Sequence, residues 1–229
     1  MSIAESVREV ERRIAAASGR AGRSPSEVTL VAVTKNVLPL FIREAFEAGV
    51  RHFGENRVQE ARAKMRELAD LNSRVAWHMV GRLQANKVKT ATEIFDIIHS
   101  VDSVELAESI SARAAIVMPL LIQVNVSGEV SKAGLSPRDL DSALQRISRL
   151  RCLSTMGLMT IAPEVADPEQ ARPVFRELHS LAQRHRLPHL SMGMSADFEV
   201  AVEEGATMVR IGRALFGERD TGMISRSRQ

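Results

Sequence analysis

The sequence predicts an α/β protein folded as a single (β/α)8 barrel of TIM type with an extra N-terminal helix. Three observations predict it. Short apolar runs rich in β-branched residues alternate with helical stretches about eight times along the chain. No composition shift or flexible linker interrupts that alternation, so residues 1–229 read as one domain, with 1–20 as a helix packed on it. The units are of near-equal length, which favours closure over an open sheet, and no G-x-G-x-x-G follows the first strand to support a dinucleotide fold.

Ile3, Val7, Val10 and Ile14 lie on one helical face, and Gly19, Gly22 and Pro25 end that helix. The first strand is the buried-type run Leu30, Val31, Ala32, Val33 and Thr34, closing on Lys35. Pro39 suits the first turn of a helix running to Gly49. Residues 50–53 read as the second strand, ending in Gly54, Glu55 and Asn56, and 57–68 as a helix. The third strand is 75–80, its helix 84–90, and the fourth strand 94–99. Asp102 and Glu105 have capping-box spacing for the next helix. Strand five is 120–126, and after the loop 127–134, Ser136 and Pro137 suit the start of a helix. Strand six is 153–159, followed by a long helix capped by Asp167. Strand seven is 190–192, Asp197 caps a short helix, strand eight is 208–211, and a last helix begins at Ala214.

Thirty-one basic against 28 acidic residues leave a formal charge of +3, too small an excess to argue for nucleic acid. No stretch is apolar enough to span a bilayer, and charged residues interrupt the N-terminal helix where a signal peptide would be apolar. The one cysteine, Cys152, allows no internal disulfide and fits a reducing cytoplasm. A cytoplasmic monomer is expected.

In such a barrel the working face lies at the C-terminal ends of the strands. Those positions hold Lys35, Asn56, His78, His99, Asn125, Thr160, Ser195, Arg210 and Gly212. A lysine whose amine is partly desolvated is a nucleophile for imine chemistry. The turns around Gly193 and Gly212 each open a helix, and in barrels of this type the loops after strands seven and eight commonly hold a phosphate on backbone amides. His78 and His99 have no metal-ligand spacing and read as packed or hydrogen-bonded barrel residues; Lys132 is a second, mid-loop amine.

At these residues the sequence resembles the pyridoxal phosphate homeostasis protein family. The matching pieces are AVTK (32–35), FGENRVQE (53–60), WHMVGRLQANK (77–87), SKAG (131–134), GLMT (157–160), LSMGMS (190–195) and VRIG (209–212). Their order and combination carry the resemblance. It implies the barrel of the alanine racemase N-terminal domain binding pyridoxal 5′-phosphate (PLP). By resemblance, Lys35 forms a covalent imine with PLP, Arg210 faces the pyridine nitrogen, and Ser195 with the amides of Gly212 and Arg213 holds the phosphate. Asn56 and Met79 lie near the ring. Many members carry a small hydroxyl residue where this chain has Arg213, so its amide is available for phosphate but a side-chain hydroxyl is not.

The role implied is to carry or regulate PLP, exchanging it with PLP-dependent apo-enzymes, without turnover of its own, and so to affect vitamin B6 and amino-acid balance. Two rival readings belong to another class: a PLP-dependent amino-acid racemase, or a Schiff-base aldolase that uses Lys35 without PLP. Neither nucleic acid nor membrane is expected as a partner.

Overall fold

The computed structural model describes residues 1–129 and 131–217. Eight parallel strands close into a barrel in sequence order, with β1 (Thr29–Val33) pairing both β2 (His52–Glu55) and β8 (Met208–Ile211). Between them run β3 (Ala76–Met79), β4 (Ile97–Val101), β5 (Met118–Gln123), β6 (Leu153–Met159) and β7 (His189–Ser191). The helices are α1 (Ile3–Arg20), α2 (Pro39–Glu47), α3 (Val58–Glu67), α4 (Val88–Ile94), α5 (Val104–Ser111), α6 (Leu140–Ile147), α7 (Arg172–Arg184), α8 (Phe198–Glu203) and α9 (Arg213–Phe216). Residues 218–229 of the expected domain, and Val130 of the expected loop 127–134, lie outside the described residues.

Strand alternation sorts the apolar side chains into two layers. Val31, Val80, Ile97, Leu121, Met159 and Met208 fill the barrel interior. Ala32, Phe53, Trp77, Met79, Ile98 and Ile211 face outward, into the larger core shared with the helices. Helix α1 begins with a capping box, Ser2 Oγ accepting from the Glu5 amide and Glu5 accepting from the Ser2 amide. It lies on α8, where Arg13 pairs with Glu199 at 2.6 Å and stacks over Phe198. Two glycines are set by close backbone approach. A Cβ at Gly157 would lie 1.9 Å from the His189 carbonyl oxygen, and one at Gly81 would lie 2.4 Å from that of Asn56. Gly157 sits where the β5–β6 register jumps, from Leu120 opposite Thr155 to Leu121 opposite Gly157.

Several element boundaries differ from the sequence reading. Strand β2 starts at His52 rather than at Val50 and includes Gly54 and Glu55, because Gly54 fills the interior between Val31 and Val80 and Glu55 is buried beside α3. Lys35 lies in a turn two residues past the end of β1. Helix α5 is capped by Ser103, whose Oγ accepts from the Leu106 amide, and Asp102 stands one residue before that cap. Ser136 and Pro137 form a turn ahead of α6, which starts only at Leu140. Residues 85–87 form a 3₁₀ turn, so α4 begins at Val88 and runs to Ile94, a residue the sequence pattern gives to the fourth strand. Among the described residues no helix is long and apolar enough to cross a membrane.

Candidate functional site

The strand ends at the C-terminal face surround a cleft of about 630 Å³ lined by Lys35, Asn56, Ser195, Arg210, Gly212 and Arg213, among others. Lys35 makes no hydrogen bond to any described residue, but the chain on both sides of it is pinned from beneath. Lys64 of α3 donates to the Thr34 carbonyl oxygen, to Glu55 Oε1 at 2.7 Å and to Glu60 Oε1 at 2.7 Å, which uses all three ammonium protons. Glu55 Oε1 also accepts from Thr34 Oγ1 at 2.6 Å, and Glu60 accepts from the Asn36 amide. Asn36 is held in the left-handed region at φ 58°, a conformation that asparagine tolerates better than most residues. Burial pushes the Glu55 carboxyl above the usual range, and the Lys64 charge pulls it back.

Arg210 is buried in the cleft floor. Its Nη1 donates to Ser191 Oγ at 2.7 Å and its Nη2 to the Thr160 carbonyl oxygen at 2.8 Å. Burial pushes its pKa down to about 10, while the Asp197 charge acts upward, so the guanidinium is cationic at neutral pH. Below Ser191 a row of imidazoles crosses the barrel interior. Ser191 Oγ meets His99 Nδ1 at 2.9 Å, His99 Nε2 meets His78 Nδ1 at 2.8 Å, and His78 Nε2 meets His52 Nδ1 at 3.0 Å. Desolvation lowers all three pKa values, that of His78 to about 3, so the rings are neutral at pH 7.

At the other end of the cleft stand the turns after β7 and β8. The amides of Ser195, Gly212 and Arg213 find no acceptor among the described residues, and Ser195 Oγ accepts from the Ala214 amide at 3.3 Å. Asp197 fixes the first of these turns by accepting from the Met194 amide at 2.6 Å.

The cleft thus brings Lys35, Asn56, Ser195, Arg210, Gly212 and Arg213 together. Met79 does not join them, which corrects its expected place near the ring. Its neighbours His78 and Val80 face inward, so Met79 points into the helix layer, and Val80 lines the cleft instead. His78 and His99 lie inside the barrel rather than on its rim. Asn125 organises its own loop, donating to the carbonyl oxygens of Glu129 and Lys132. Lys132 reaches the cleft wall paired with Glu129 at 2.7 Å. The sequence reading missed the support beneath Lys35; its one legible sign was the i, i+4 spacing of Glu60 and Lys64 on α3.

The donor set suits an anionic cofactor that carries a carbonyl: an unpartnered amine, a cation in the floor, and open amides with a hydroxyl at the far end. Among the described residues no group of three or more His, Cys, Asp or Glu is placed to hold a metal ion. The family described as alanine racemase, N-terminal domain, matches residues 6–220. The pyridoxal phosphate homeostasis protein of Aquifex aeolicus is 46% identical over 228 residues, covering 96% of this chain and 99% of that one. That of Escherichia coli K12 is 42% identical, covering 95% and 97%. This chain belongs to the pyridoxal phosphate homeostasis protein family. Among solved structures, PipY of Synechococcus elongatus with PLP bound is 42% identical, with a TM-score of 0.81 over 94% of this chain and 100% of that one. The alanine racemase of Corynebacterium glutamicum shares the fold alone, at 17% identity and a TM-score of 0.67 over 62% of its length.

Proposed function

We propose that this protein binds PLP in the cleft and serves intracellular PLP homeostasis, holding the cofactor and passing it to PLP-dependent apo-enzymes in the cytoplasm. Lys35 Nζ carries the cofactor covalently as an imine. Arg210 donates to the ring nitrogen, Asn56 lies beside the ring, and Ser195 with the amides of Gly212 and Arg213 holds the phosphate. When bound, PLP supplies a reactive carbonyl and an electron-withdrawing ring. The observation that carries the reading is the joining, in one cleft, of a partner-free lysine, a buried arginine and three open amides. Borohydride reduction of the PLP-loaded protein, then digestion and mass spectrometry, is expected to find the pyridoxyl adduct on Lys35. An adduct mainly on Lys132 would overturn that assignment.

The racemase reading has one observation in its favour, the buried arginine of the cleft floor, where the reading puts the ring nitrogen and where alanine racemase also has an arginine. Two others weigh against it. Racemisation needs an acid/base on each face of the substrate carbon, and beyond Lys35 the sequence offers no tyrosine. His78 does not substitute, because it lies inside the barrel with both ring nitrogens engaged. Arg210, cationic at neutral pH, donates without readily protonating the ring, which disfavours transamination but leaves racemisation open. The loaded protein is expected to racemise or transaminate L-alanine far more slowly than the common enzymatic range of about 1–10³ per second, followed by chirality and keto-acid formation over hours. Turnover within that range would replace the carrier reading with the racemase one.

A further inference from the structure

The polar row inside the barrel has a direction, and Arg210 sets it. A guanidinium only donates, so Ser191 Oγ accepts from Arg210 Nη1. The Ser191 hydroxyl proton then needs an acceptor. Ser191 is fully buried, and among the described residues the acceptor within reach is His99 Nδ1. With Nδ1 accepting, a neutral His99 carries its proton on Nε2 and donates it to His78 Nδ1. The same step repeats: His78 carries its proton on Nε2 and donates to Nδ1 of His52, which stands half-buried at the start of β2. In the reverse direction Ser191 would accept twice, and its own buried proton would have no acceptor, a loss of about 1–3 kcal/mol.

We propose that His99, His78 and His52 act as positioning residues for Arg210, three imidazoles locked as Nε2–H tautomers that fix the Ser191 hydroxyl and hold the guanidinium at the cleft floor. The proposal rests on the reading of Arg210 as the group that faces the ring nitrogen of PLP. The row spans the barrel, drawing on β2, β3, β4, β7 and β8. Arg210 is therefore oriented by contacts that lie wholly behind the cleft. His99 is the link that matters most, since it alone joins Ser191 to the other two rings.

The test uses ¹⁵N-histidine NMR on the cofactor-free protein, with signals assigned by single His→Gln variants. The expected result is three neutral Nε2–H tautomers at positions 52, 78 and 99, and a loss of the single tautomer at His99 in Ser191→Ala. A second measurement is PLP affinity. His99→Leu is expected to weaken binding about tenfold and to shift the absorbance of the bound cofactor. His99→Gln, whose amide carries both an acceptor and a donor, is expected to restore both. An Nδ1–H tautomer or a cation at His78 or His99 overturns the proposal, and so does equal affinity in folded Leu and Gln variants. If the parent protein fails to bind PLP, the functional reading falls, whereas the tautomers are still read on the free protein.

Discussion

Lys64→Met is expected to destabilise the protein by about 3–4 kcal/mol at pH 7. Lys64 is the only cation against Glu55 among the described residues, and Glu55 is fully buried with its Oε2 already lacking a partner. Without the ammonium, the Glu55 carboxyl either stays ionised in an apolar setting or takes up a proton. The second course sets a ceiling: protonating a carboxyl of ordinary pKa near 4.3 costs about 3.7 kcal/mol at pH 7. The same arithmetic gives a distinguishing sign. At pH 5 the protonation cost falls to about 1 kcal/mol, so the gap between variant and parent should narrow as pH drops. Urea unfolding of both proteins at the two pH values measures it. A penalty under 1 kcal/mol at pH 7 would mean that the ion pair adds little to the site's support. Replacing both partners, as Glu55→Leu with Lys64→Met, should recover much of the loss, because no buried charge then remains. Thr34 would still lose its contacts to Lys64 and Glu55, and Glu60, which holds the Asn36 amide, would lose its ammonium partner.

How much of this was legible in the sequence depends on what kind of signal was needed. Local patterns placed β6 and β8 at their observed bounds, since each is an apolar run bounded by turn residues. The glycine and serine turns after β7 and β8 were legible too, and the cleft brings them together with Lys35. The failures share one cause: they depend on which face of the sheet a side chain takes and what lies across from it. Met79 sits in a matching motif, yet strand parity turns it outward. Gly54 and Glu55 read only as the tail of the second strand, and their burial shows once β1 and α3 are brought against them. The histidine row was half legible. His78 and His99 read as packed or hydrogen-bonded barrel residues and His52 was not singled out; the partners come from strands more than 20 residues apart, and only closure of the barrel aligns them.

That alignment implies a steep acid sensitivity. His78 and His99 are held neutral, with His78 near pKa 3 and His99 well below its ordinary value, whereas both titrate near 6.5 in the unfolded chain. The folded-state values are lowered, so stability is complete above about pH 6.5 and is lost as pH falls towards 3, where the unfolded chain takes up protons that the fold refuses. Each such histidine contributes a slope of up to about 1.4 kcal/mol per pH unit. Together the two should make the protein roughly 4 kcal/mol less stable at pH 5 than at pH 7. Glu55 and Asp197 act in the opposite sense, because burial raises their carboxyls and lets the fold bind protons first. The Lys64 charge and the Met194 amide limit those two shifts, so the histidines decide the sign. His99→Gln removes one of the titrating groups and should cut the slope between pH 7 and 5 by about half, while keeping an acceptor for Ser191. Urea midpoints measured across this range test both statements. A parent protein equally stable at pH 5 and 7 would show that the buried rings take up protons inside the fold, which the guanidinium of Arg210 and the closeness of the three rings oppose.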